Sequence, residues 1–134
     1  MVAYCDFYGA APGADSLLAL SRTLLEDPEG HGLQLIARRG DAGRGAALGF
    51  ATLYWTWSTL RAARIAVMND LYVVPDARGT GVGEALIDAC RARCRERGMT
   101  WLEWSTAPAN VRAQRLYERV GAQRSDWIDY GLAP

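Results

Sequence analysis

Lysine is absent from this chain: all 15 basic residues are arginine, set against 15 acidic ones for a net charge of zero. The absence removes a Walker-type phosphate lysine, a Schiff-base lysine and a Ser-Lys dyad. Zero net charge argues against a nucleic-acid partner, because such binders work mainly by neutralising phosphates. Histidine occurs once, at His31, which reads as a surface residue in a turn. The 3 cysteines, Cys5, Cys90 and Cys94, show no pairing pattern and so give no disulfide framework. Cys90 and Cys94 lie four apart on one helical face and read as small core residues rather than metal ligands, so no metal is expected. No apolar run approaches the roughly 20 residues that a membrane helix needs. Met1–Asp6 lacks the basic segment and apolar stretch of a secretory signal. A cytoplasmic protein without a membrane partner is the expectation.

What is present is the composition of a globular fold. The 134 residues are 50% apolar and 22% charged, enough for one domain, 1–134, around one core. Residues 2–9 read as the end of a helix with Tyr4, Phe7 and Tyr8 on one side, broken by Pro12-Gly13. Asp15 is placed to cap a second helix running to Glu26, whose apolar stripe includes Leu17, Leu20 and Leu24. Strands follow at Leu33–Ala37, Leu48–Trp57 and Ile65–Val74, with a turn cluster at Gly40-Asp41-Ala42-Gly43. Gly81–Arg97 is a strong helix closed by Gly98, Trp101–Thr106 a strand, Asn110–Val120 a helix closed by Gly121, and Trp127–Leu132 a last strand. The order ααββββ-loop-αβαβ describes an α/β domain with a mixed sheet, antiparallel early and parallel near the loop.

The loop carries the chemistry. Val73-Val74-Pro75-Asp76-Ala77-Arg78-Gly79-Thr80-Gly81-Val82-Gly83 joins a strand to a helix. Its three alternating glycines let a ligand approach the backbone, and the unpaired N–H groups and dipole of the helix start favour a diphosphate. A P-loop fails on spacing and on the missing lysine. A Rossmann fingerprint fails because its third glycine falls on Glu84. The alternative for the loop alone is a glycine-rich turn that merely connects strand to helix.

Arg78-x-x-Gly81-x-Gly83 resembles the Q/R-x-x-G-x-G/A signature of the GNAT acetyltransferase superfamily. Asn69-Asp70-Leu71-Tyr72-Val73-Val74-Pro75 resembles the fourth strand of that fold, and Asn110-x-x-Ala113-x-x-Leu116-Tyr117-Glu118-x-x-Gly121 its second signature. Within the superfamily the chain is most similar to diamine and polyamine acetyltransferases and to small Hpa2-like enzymes. The resemblance implies a GNAT fold, a mixed central sheet with flanking helices. It also implies acetyl-CoA as cosubstrate and transfer of the acetyl group to a primary amine of a small, polyamine-like or peptide acceptor. Two departures stand out. Met1 falls inside what would be the family's first helix, so the resemblance implies a fold without the family's first strand. Asn69 stands where the polyamine enzymes carry a glutamate.

By the same resemblance, backbone groups of Leu71, Tyr72 and Val73 line the pantetheine arm. Arg78, Gly79, Thr80, Gly81, Val82, Gly83 and Glu84 hold the diphosphate. Tyr117 is the candidate acid for the departing thiolate, or else an aromatic anchor of the core. Asn110 either bonds the cofactor or only caps its helix. Asp70 is the best carboxylate for drawing off the amine proton, with Glu103 the poorer alternative; an orienting role is the plainer one. Trp55 and Trp57 read as core, or as walls of an acceptor pocket. An acyl-CoA-binding module without turnover is the alternative function. Trp127–Tyr130 pairing between chains would make a homodimer.

Overall fold

The computed structural model describes residues 1–40 and 44–134, so the expected turn at Asp41-Ala42-Gly43 lies outside the described residues. Two helices open the chain, α1 at Val2–Phe7 and α2 at Ala14–Glu26. Gly13, not Asp15, is the N-cap of α2; Asp15 sits in the first turn, where its charge favours the helix dipole. Three strands follow, β1 at Gly32–Arg38, β2 at Ala47–Ser58 and β3 at Ala63–Val73, at the three expected positions and one fewer than the expected element order counts. A short 3-10 turn at Pro75–Ala77 leads to α3 at Val82–Glu96, then β4 at Leu102–Glu103 and α4 at Val111–Arg119.

The sheet runs β1-β2-β3-β4, antiparallel across the first three strands and parallel between β3 and β4. The expected mixed sheet with flanking helices is therefore the observed architecture. β1 forms an edge among the described residues. The expected strand at 101–106 shrinks to two residues, because only Ala66↔Leu102 and Val67↔Glu103 are in register. Trp127–Leu132 forms no strand: aromatic, alternating residues alone do not make one without a neighbour to pair with.

One face of the sheet takes the apolar set that alternation supplies. Ala51, Leu53 and Trp55 of β2 and Ala66 and Met68 of β3 are buried there with Leu86, Ile87, Cys90 and Cys94 of α3. Fully burying a side chain such as Leu53 stabilises the fold by roughly 1.5–3 kcal/mol. Trp55 belongs to this core, with its indole N–H donating to the Pro28 carbonyl at 2.8 Å and the Arg97 guanidinium 5.0 Å over its ring. Trp57, two residues on, is 73% exposed.

Burial, then the neighbouring Cys94, pushes the Cys90 thiol from 9.0 up to about 12, and burial also raises Cys94. A folded value above the unfolded one means that stability is fully present below pH 9 and is lost as pH climbs towards 12. Denaturation midpoints should therefore be flat up to about pH 8. At pH 10 stability should be lower by about 1 kcal/mol from Cys90 alone. Cys90→Ala should flatten that slope; an equally steep slope in the variant would show that the thiol is not its source.

Candidate active site

The site begins with an irregularity in β3. Thr52 pairs with Asp70 but Leu53 pairs with Met68, so Asn69 is an extra residue, a β-bulge. The bulge resets the alternation. Asp70 then shares a face with Tyr72, away from the core, while Leu71 and Val73 return to the core face. Pairing with β4 ends at Val67, just before the bulge, so β3 and the segment after β4 diverge. A cleft of about 200 Å³ opens in this divergence, lined by Tyr4, Tyr8, Asn69, Ser105, Thr106 and Ala107.

Asp70 lies beneath the cleft wall and is only 5% exposed. The Asn69 side-chain amide donates to its Oδ1 at 3.0 Å. Its register partner Thr52 is fully buried, and Gln34 Nε2, one strand further, donates to Thr52 Oγ1 at 3.3 Å. A polar line thus crosses the sheet under α1. Tyr4 completes it from above. Its hydroxyl donates to the Asn69 carbonyl at 3.4 Å, and its ring packs edge-on against Tyr8, Phe50 and Tyr72 with centroids 5.1, 5.8 and 6.4 Å away. Burial, then the nearby charge of Asp70, holds the Tyr4 phenol far above its usual 10.0. Burial and the same carboxylate also raise Tyr54.

The glycine loop leaves a row of backbone N–H groups open at the start of α3. Gly79 and Gly81 adopt φ of +84° and +89°, a region that favours glycine. Gly81 is the N-cap of α3, and Ala85 is the first residue of the helix to donate back, to the Gly81 carbonyl at 3.0 Å. Among the described residues, no backbone carbonyl accepts from the N–H groups of Thr80, Gly81, Val82, Gly83 or Glu84. Gly83 has a packing reason as well, since a Cβ there would stand 2.9 Å from Leu116 of α4. Arg78 turns away from the loop. Its Nε donates to the Val73 carbonyl at 2.9 Å, and its guanidinium lies 5.8 Å from the Tyr72 ring. A cation from α4 also approaches the loop: Arg112 Nη2 is 3.9 Å from where a Gly79 Cβ would stand. In the sequence Arg112 is one of several arginines on an exposed helix, and only its position inside the second signature singles it out.

Tyr117, also on α4, packs edge-on against Trp104 with centroids 5.2 Å apart. Burial, then the neighbouring Tyr8, raises its phenol, and the Thr106 hydroxyl partly offsets that. Tyr8 and Thr106 both line the cleft, so Tyr117 stands directly behind it. Thr106 Oγ1 is itself buried without a partner that meets hydrogen-bond geometry. Asn110 is the N-cap of α4, its Oδ1 accepting from the Ala113 N–H at 3.3 Å. Glu103 is exposed on β4 opposite Val67. Neither Trp55 nor Trp57 lines the cleft, so the core reading of Trp55 holds.

Residues 3–122 match the acetyltransferase (GNAT) family. An uncharacterized N-acetyltransferase of Bacillus subtilis, YhfO, is 35% identical over 96% of this chain and 83% of its own length. The D-amino-acid N-acetyltransferase Hpa3 of Saccharomyces cerevisiae is 38% identical over 67% of this chain, which spans only 55% of the yeast protein. A solved structure of a probable acetyltransferase superposes with a TM-score of 0.80 at 29% identity, covering 99% of this chain and 86% of that one. The chain belongs to the GNAT family and is by class an acetyl-CoA-dependent N-acetyltransferase.

The two roles of Asn110 separate cleanly. Asn110→Ala should cost about 1 kcal/mol of stability through the lost cap, while Asn110→Asp keeps the cap and should match the wild type. Calorimetric titration of acetyl-CoA into Asn110→Asp decides the rest: unchanged affinity leaves the residue a cap, and a tenfold loss makes it a cofactor ligand.

Proposed function

We propose that residues 1–134 act as one N-acetyltransferase domain that passes the acetyl group of acetyl-CoA to the primary amine of a small, polyamine-like or amino-acid acceptor. The observation that carries this reading is the pairing of a row of open backbone N–H groups with a cleft that has a buried carboxylate and a half-buried phenol behind it. The free N–H groups from Thr80 to Glu84 would hold the diphosphate, with Gly79 and Gly81 providing the turn and Arg112 the countercharge. The unpaired edge of β3 from Leu71 to Val73 would carry the pantetheine arm. Arg78 would brace that edge rather than touch phosphate, since its side chain already holds Val73.

In the reaction the amine nitrogen attacks the thioester carbonyl, a C–N bond forms and the C–S bond breaks. The amine gives up its proton towards Asp70, and Tyr117 gives its own to the departing sulfur. A phenol raised above 10.0 holds its proton throughout the neutral range and has one to give. Zero net charge and the aromatic, polar cleft suit a small amine better than nucleic acid. Among the described residues no helix is long and apolar enough to cross a membrane, and the three cysteines are free, which supports a cytoplasmic setting.

Tyr117→Phe keeps the ring and removes only the hydroxyl. It should lower kcat roughly a hundredfold or more, leave acetyl-CoA affinity unchanged, and abolish any high-pH limb lying above pH 10. A kcat equal to the wild type's, in an assay limited by chemistry, returns Tyr117 to the core. Acetyl-CoA binding without thiol release across an amine panel would favour the binding module instead.

A homodimer is part of the same reading. Trp127, Tyr130 and Leu132 are 82%, 92% and 97% exposed, more apolar surface than an unpartnered tail is expected to show. Light scattering should give twice the chain mass, and removing residues 125–134 should return it to one; a monomer of the whole protein at high concentration ends the idea.

A further inference from the structure

A second cavity, of about 390 Å³, lies beside the cleft and has no part in the mechanism above. Its size falls within the roughly 300–1,000 Å³ of small-molecule pockets. The floor is a cross-strand ladder in which Ile36 of β1 pairs with Phe50 of β2, and Phe50 with Tyr72 of β3. The next ladder along the same strands is the polar line of Gln34, Thr52 and Asp70. Met1 and Ala3 at α1 and Ser21 of α2 also line the cavity.

This lining suits an apolar occupant. None of its side chains is charged. The Ser21 hydroxyl donates to Met1 Sδ at 3.4 Å, and Gln34 Nε2 donates to the same sulfur and to Thr52 Oγ1, both at 3.3 Å. A hydrocarbon group in the cavity therefore strands neither donor, and the apolar surface that it buries favours it. Ile36 is 54% exposed and offers such surface at the rim.

The cavity meets the cleft at Tyr4. Tyr4 lines the cleft, while Phe50 and Tyr72, which line the cavity, have ring centroids only 5.8 and 6.4 Å from its own. One aromatic ring thus separates the place of the reacting amine from apolar space. The side chains lining the cleft are uncharged as well, so the second ammonium of a diamine would meet no carboxylate along either lining. We propose that the cavity receives the apolar tail of the acceptor, and that the substrate class is a primary amine with an aryl or branched alkyl group a short linker away from nitrogen. This assignment rests on the transferase reading and narrows it.

The test compares 4-phenylbutylamine, n-butylamine and putrescine as acceptors for the full chain, with acetyl-CoA saturating. Burial of the phenyl ring should raise kcat/KM for 4-phenylbutylamine roughly tenfold or more above the other two amines. Ala47 and Ile36 are exposed residues that line the cavity and not the cleft. Ala47→Trp fills the cavity, and Ile36→Glu puts a charge into it. Each should bring 4-phenylbutylamine down to the n-butylamine value. Melting temperature, acetyl-CoA affinity by calorimetry and kcat/KM for n-butylamine should stay at their wild-type values. A wild-type preference below threefold overturns the tail site and leaves the transferase standing, even if a variant fails to fold. A preference that survives either substitution, or an equal loss for both monoamines, overturns it as well. A wild-type protein that binds acetyl-CoA but acetylates none of the three amines overturns the transferase reading for these acceptors and the tail site with it.

Discussion

One extra residue in a strand sets out the whole site. β3 must satisfy two neighbours over its first half and only one over its second, and Asn69 stands where the change occurs. A bulge at that point bends the strand and disturbs the ladder locally. Here it also inverts parity, so that an acid placed between apolar residues points out of the core instead of into it. An unpaired carboxylate in the apolar layer would cost several kcal/mol. On the other face it accepts from the Asn69 amide and lies opposite the hydroxyl-bearing Thr52. The divergence of β3 from β4 and the direction of Asp70 are therefore one structural event, not two.

The two faces of the sheet consequently differ in kind. Against α3 the contacts are close-packed and apolar, the sort that hold a fold and tolerate little change. Against α1 they are aromatic edges and a line of polar side chains. A short helix resting on such a face has few buried contacts and opens at low cost. That leaves a lightly held wall beside the buried carboxylate of Asp70 while the core stays untouched.

What was legible in the sequence follows the same division. α3 could be read because its stripe of Leu86, Cys90 and Cys94 has helical spacing and Gly98 closes it with φ of +65°. β2 and β3 could be read from alternation and β-branched content, and the loop from its glycines. The direction of Asp70 could not, because period-two reasoning assumes an unbroken ladder and Asn69 breaks it. The strand expected at 101–106 kept only Leu102 and Glu103, since strand length is set by the partner's course rather than by propensity. Trp127–Leu132 had strand composition but no neighbour. The place of Tyr4 at the cleft escaped notice because its contacts with the sheet, Phe50, Asn69 and Tyr72, lie more than 40 residues away.

The last question is how a loop that suits a diphosphate and a phenol that suits proton transfer are kept in fixed relation. α4 supplies the answer through two consecutive residues. Leu116 fills the space beside Gly83, where a Cβ would stand only 2.9 Å away, so α3 and α4 meet at the start of the cradle. Tyr117 points about a quarter-turn away and meets Trp104 and the Thr106 region at the cleft. Arg112, one turn before Leu116, brings its charge back to Gly79. A single nine-residue helix, started by the Asn110 cap, thus braces the loop with one face and aims the phenol with another. Its register is the constraint that ties the two ends together. A slip of one residue along α4 would move the leucine off the glycine and the hydroxyl off the cleft at once.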